Sequence, residues 1–83
     1  MVGNTILIIK TPGCGHCEEV MEIIDKKIKP DFPDLDVEVI DVTQKPEYLQ
    51  KYPVMSAPGI VINGKLEFQG VATEQQIRSK LKE

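Results

Sequence analysis

Tryptophan is absent from this chain, which holds only two cysteines, one histidine, two tyrosines and two phenylalanines in 83 residues. Two cysteines cannot make the disulfide scaffold that staples small secreted domains, so any core must be aliphatic, and 41% apolar content suffices for one modest core. A reducing cytosol is the compartment such cysteine usage implies. A structural zinc site needs four ligands, and His16 lies too near Cys14 and Cys17 in sequence to serve with both. No apolar run approaches the ~20 residues of a membrane span, and Met1-Val2-Gly3-Asn4 does not open a basic region followed by a long apolar stretch, so neither anchor nor leader is expected. Basic clusters are missing too. With a net charge of -3, neither nucleic acid nor an anionic membrane is an expected partner. Lys26, Lys27 and Lys29 come nearest to a basic patch, and they read as complements to the negative end of a helix. No repeat, low-complexity stretch or linker interrupts the chain, and a single domain over 1–83 is expected.

What is present is an alternation of short elements. Thr5-Ile6-Leu7-Ile8-Ile9 reads as a buried strand that Pro12 and Gly13 break. A helix follows over 14–28, with Cys17, Val20, Met21, Ile24 and Ile28 on one face, and Pro30 and Pro33 stop it. Leu35 to Ile40 alternates apolar with acidic residues as a half-buried strand. A helix joining two strands implies that they run parallel with a right-handed crossover. A short helix is expected over 46–52, with Pro46 at its first position and Pro53 ending it. Strands over 59–62 and 65–68 flank Asn63-Gly64, a hairpin signal because both turn positions need positive φ. Thr73 and Gln76 have capping-box spacing and open a last helix carrying Ile77 and Leu81 on one face. The order is β-α-β-α-β-β-α.

Both cysteines fall in Cys14-Gly15-His16-Cys17, between the first strand and the first helix. A helix starting there aims unpaired N–H groups and its positive dipole end at the Cys14 sulfur, which favours the reactive thiolate. Cys14 is therefore expected to attack a substrate disulfide. Cys17, one turn further in, then attacks Cys14 and releases the reduced substrate. Protonated His16 adds a positive charge that stabilises the reduced form, while Glu18 and Glu19 oppose it. Gly15 keeps the turn open to a partner, and Gly13 permits a close chain approach, so Pro12, Gly13 and Gly15 are expected along the substrate's path.

The element order, C-x-x-C at the start of the first helix, and a proline at the start of the third strand together resemble the thioredoxin and glutaredoxin superfamily. Three places carry the likeness: Thr11 to Cys17, Ser56-Ala57-Pro58-Gly59, and the hairpin from Asn63-Gly64 to Gly70. C-G-H-C is similar to the active site of protein disulfide isomerase domains, and the short length resembles glutaredoxins and the small archaeal and bacterial thioredoxin-like proteins. The resemblance implies an α/β thioredoxin-like fold with a four-stranded mixed sheet flanked by helices. It also implies a cis Pro58 facing the active-site disulfide and an Ala57 backbone that pairs with an extended substrate segment.

Two features depart from the pattern. Thioredoxins carry a buried acid on the strand leading to the site, where this chain has Ile6, Leu7, Ile8 and Ile9, so proton handling falls to water, His16 or a neighbour. Dithiol glutaredoxins place a lysine three residues before the first cysteine, where Thr11 stands here, and Lys10 is one residue farther away. Val71-Ala72-Thr73 follows Gly70 in place of an acidic pair, which argues against glutathione binding.

The competing reading is a soft-metal protein holding Cu(I) or zinc on the two thiolates. Ferredoxin-like metallochaperones end in a strand, however, and this chain ends in a helix. The expectation is a monomeric cytoplasmic thiol–disulfide oxidoreductase with no bound cofactor beyond the Cys14–Cys17 disulfide. Its expected partners are disulfide-containing proteins and an unidentified reductase or thiol donor.

Overall fold

The computed structural model describes residues 3–13, 15–55 and 57–81. Strand β1 (Thr5–Lys10) lies between β2 (Asp36–Asp41) and β3 (Gly59–Ile62), and β4 (Lys65–Gln69) completes a sheet of order β2-β1-β3-β4. The β1–β2 pair is parallel and the other two are antiparallel, a mixed sheet. The parallel pair follows from the helix that joins its strands, since only a crossover returns the chain in the same direction. Asn63 and Gly64 turn the β3–β4 hairpin with φ of 52° and 85°. The Asn63 side chain accepts the Thr5 N–H at 2.9 Å and donates to Asn4 Oδ1 at 3.0 Å, tying the hairpin tip to the start of β1.

Alternation along β1 divides the core. Ile6 and Ile8 face Val20, Ile24, Ile28, Ile77 and Leu81 of the helical layer, whereas Ile9 packs with Ile40 and Val61 on the other face, beside Tyr48 and Tyr52. Helix α3 (Glu74–Lys80) begins at a Thr73 capping box: Gln76 N–H donates to Thr73 Oγ1 at 3.2 Å, and Thr73 N–H donates to Gln76 Oε1 at 2.9 Å. Arg78 clamps α3 to the chain after the first helix, reaching Glu74 at 2.8 Å, Asp31 at 2.7 Å and the Lys27 carbonyl.

Four details differ from expectation. The first helix is α-helical only over α1 (Gly15–Ile23), widens to a π-helical turn over Ile24–Ile28, and tightens to a 3₁₀ turn over Lys29–Asp31 that contains Pro30. Pro30 has no N–H for the carbonyl four residues back, and its ring would press on that group. The wider turn, in which Lys29 N–H reaches Ile24 O, spares both. The second helix is a single turn, α2 (Tyr48–Lys51); Pro46 lies ahead of it, where Leu49 N–H bonds back to Pro46 O in a tighter three-residue step. Strand β2 is an edge, so its apolar residues are not evenly covered: Ile40 is buried but Val39 is 39% exposed. A bulge in β4 sets Val61 opposite Leu66 but Ile60 opposite Phe68, which sends Leu66 and Phe68 to opposite faces of the sheet.

Candidate active site

The chain leaves β1 through Thr11-Pro12-Gly13 and enters α1 at Gly15. Gly13 has φ of +73°, a left-handed conformation that strains any residue with a Cβ. The turn can therefore bend the strand end into the helix. Cys14 lies outside the described residues, as does Ser56. Cys17 occupies the first turn of α1, is 1% exposed and is disulfide-bonded. It heads the stripe that Val20 and Ile24 continue into the core.

His16 points the other way. Its side chain is 69% exposed, and Nδ1 lies 3.8 Å from a Glu19 carboxylate oxygen, so a charge on the imidazole has a counter-charge one turn along the helix.

The Ala57–Pro58 bond is cis, and Pro58 is buried directly ahead of β3. Three contacts hold this loop. The Gly70 N–H donates to the Pro58 carbonyl at 2.9 Å, and the Met55 N–H donates to Gln69 Oε1 at 2.6 Å. Gly59 sits against Val54 so closely that a Cβ there would fall 2.5 Å from Cγ2 of that valine.

Two hollows adjoin these segments. Pro12, Gly13, Gly15 and Cys17 border a cavity of about 250 Å3 together with Lys10 and Met21. Ala57 instead borders an apolar groove with Ile9, Val42, Leu49, Val54 and Met55. Thr11 lines both. Of the residues expected along a substrate's path, Pro12, Gly13 and Gly15 border one depression and Ala57 the other, while Pro58 is buried and lines neither. Met55, 91% exposed, and Gln69, which holds its backbone, carried no signal in the sequence, because nothing there places the residues before Pro58 against the end of β4. Asp41 ends β2 opposite Lys10; hydrogen bonds from the Thr43 hydroxyl (2.6 Å) and backbone N–H (2.9 Å) hold its carboxyl below the usual aspartate range.

Among the described residues, no group of three or more His, Cys, Asp or Glu is arranged to hold a metal ion. Among those residues, too, no helix is long and apolar enough to cross a membrane.

This architecture is shared with known proteins. A family model described as a thioredoxin domain matches residues 4–82. A thioredoxin of Methanocaldococcus jannaschii is 32% identical over 78 residues, covering 93% of this chain and 91% of that protein. Among solved structures, Fasciola hepatica thioredoxin superposes with a TM-score of 0.72 at 25% identity, covering 92% of this chain and 75% of that one. Mitochondrial thioredoxin 3 of Saccharomyces cerevisiae gives a TM-score of 0.74 at 20% identity, covering 93% and 74%, and shows the likeness of fold alone. On a match that spans nearly its whole length, the chain belongs to the thioredoxin family and is a thiol–disulfide oxidoreductase.

Proposed function

We propose that the chain reduces disulfides in protein substrates in the cytoplasm, as a monomer and without a bound cofactor, using Cys14 as the attacking thiol and Cys17 as the resolving one. The observation that carries this reading is the burial of Cys17 in the first turn of α1, at 1% exposure. A thiol so enclosed cannot meet a protein disulfide directly, but it can attack a sulfur brought to the residue one turn before it.

The steps balance as follows. The Cys14 thiolate attacks one sulfur of the substrate disulfide, the S–S bond breaks, and the departing substrate thiolate takes a proton from solvent. Cys17 loses its proton and attacks Cys14. The Cys14–Cys17 bond forms, the second substrate sulfur leaves, and two electrons have passed to the substrate. A reductase or thiol donor then restores the dithiol. Pro12, Gly13 and Gly15 line one side of the approach, and Ala57, followed by cis Pro58, offers its backbone to an extended substrate on the other. The exposed rims of Met55 and Leu49 suit apolar substrate side chains beside the disulfide.

Cysteine substitution tests the assignment. Cys17→Ser should attack and then accumulate mixed disulfides with its partners, whereas Cys14→Ser should form none and should fail to reduce insulin. Trapping by Cys14→Ser alone would reverse the roles. Insulin reduction that persists in both variants would remove the cysteine pair from the reaction.

A further inference from the structure

Resolution requires the Cys17 sulfur as thiolate, yet its surroundings are those that favour the neutral thiol: 1% exposure on a helix face packed against aliphatic side chains. The inward residues of β1, Ile6 and Ile8, bring no charge to it. His16 is turned to solvent and to Glu19. Lys10 differs from all of these. Strand alternation puts it on the face of Ile6 and Ile8, beneath α1, where it is half-buried and borders the same cavity as Cys17 and Met21. Asp41, its cross-strand neighbour, accepts from the Thr43 hydroxyl and backbone N–H, and the Lys10 charge helps to lower its carboxyl, but among the described residues Lys10 makes no ion pair within 4.0 Å.

We propose that Lys10, which borders the cavity it shares with Cys17, is a positioning residue of the exchange reaction: its positive charge stabilises the Cys17 thiolate as that sulfur attacks Cys14. The inference rests on the reading of Cys17 as the resolving thiol. Lys10 enters no bond; it favours loss of the Cys17 proton to water before the attack already described. The other charged groups facing this region are Glu18 of α1, which borders the same cavity and opposes Lys10 from an exposed position, and Asp41 of β2. His16 and Glu19 lie on the outer face of α1, and Ala57, Pro58 and Gly59 contribute no charge.

The test follows the resolving step alone. Reduced protein mixed with one equivalent of a chromogenic aromatic disulfide releases one coloured thiolate on attack and a second on resolution, and the second release is read by stopped flow from pH 6 to 10. Lys10→Met keeps the stem and removes the charge. A rise of about one pH unit in the Cys17 titration leaves roughly tenfold less thiolate at pH 7, while each remaining thiolate becomes about two- to threefold more nucleophilic. Resolution in Lys10→Met should therefore be about three- to fourfold slower at pH 7 and about two- to threefold faster on the alkaline plateau, so that its profile crosses that of the parent, and Lys10→Arg should follow the parent. A Lys10→Met profile that superimposes on the parent, or lies below it by one factor at every pH, overturns the proposal, because loosened packing lowers the rate without a crossing. Release of only one equivalent by the parent protein overturns the exchange reading itself and this inference with it.

Discussion

Adding one methyl group at Gly59 tests how tightly the segment after Pro58 is set. Gly59 has no positive φ, so its backbone accepts alanine, and the obstacle is Val54, whose Cγ2 lies 2.5 Å from where the Cβ would stand. Real side chains do not approach so closely, and Val54 or the strand must move. Overpacking of this kind costs about 1–3 kcal/mol. Replacing glycine returns about 0.4–1 kcal/mol by restricting the unfolded chain, which leaves a net loss of about 1–2 kcal/mol. For a domain of this length the melting temperature should fall by about 4–16 °C. Val54→Ala, at a half-buried position, should cost about 1 kcal/mol alone. In the double variant both γ carbons are gone from the path of the new methyl group, and the remaining Cβ at position 54, 3.3 Å away, has to give by only a few tenths of an ångström. Its stability should stay near that of Val54→Ala, a favourable coupling of about 1–2 kcal/mol. Urea midpoints of the four oxidised proteins measure this cycle. Parental stability in Gly59→Ala, or strict additivity in the double variant, would refute the contact.

Three further perturbations address the surface of the site and the helical layer. His16→Ala should lower the reduction potential and Glu19→Gln should raise it, each by no more than about 30 mV, because both groups are solvated; equilibration of each variant against glutathione buffers checks this, and shifts in the same direction would refute the pairing. Thr43→Ala removes the hydroxyl that lowers the Asp41 carboxyl. A depressed folded-state value stabilises above the unfolded one and is lost as pH falls through it, so the variant's deficit should be full above the ordinary value of 3.8 and close as the pH drops below it. A deficit that stays constant down to pH 2 would assign it to packing. Arg78→Ala should lower the urea midpoint by releasing α3 from Asp31 and the Lys27 carbonyl, and Arg78→Lys should not restore it, since an ammonium lacks the planar fork that serves Glu74 and Asp31 together.

The local rules were legible in the sequence wherever one or two residues dictate a conformation. Asn63-Gly64 had to turn, because both positions take positive φ, and Thr73 with Gln76 had to open a helix, because their side chains satisfy its first N–H groups. The aliphatic run of β1 and the stripe through Cys17, Val20 and Ile24 announced which faces would meet. By resemblance the sequence also pointed to a cis Pro58, although local chemistry alone would have read an ordinary loop proline.

Contacts between distant segments were decided only in three dimensions. Neighbouring strands determine which residues of β2 stay exposed, so Val39 could not be distinguished from Val37 by alternation. The bulge that splits Leu66 from Phe68 arises from registry with β3, and the π turn arises where the demands of Pro30 meet those of a helix already packed through Ile24 and Ile28. Lys10 reads as a strand-end lysine until α1 folds over it and encloses it in one cavity with Cys17. Periodicity and capping act over a few residues and survive in a bare sequence; the field at a buried sulfur depends on groups that the chain brings together only by folding.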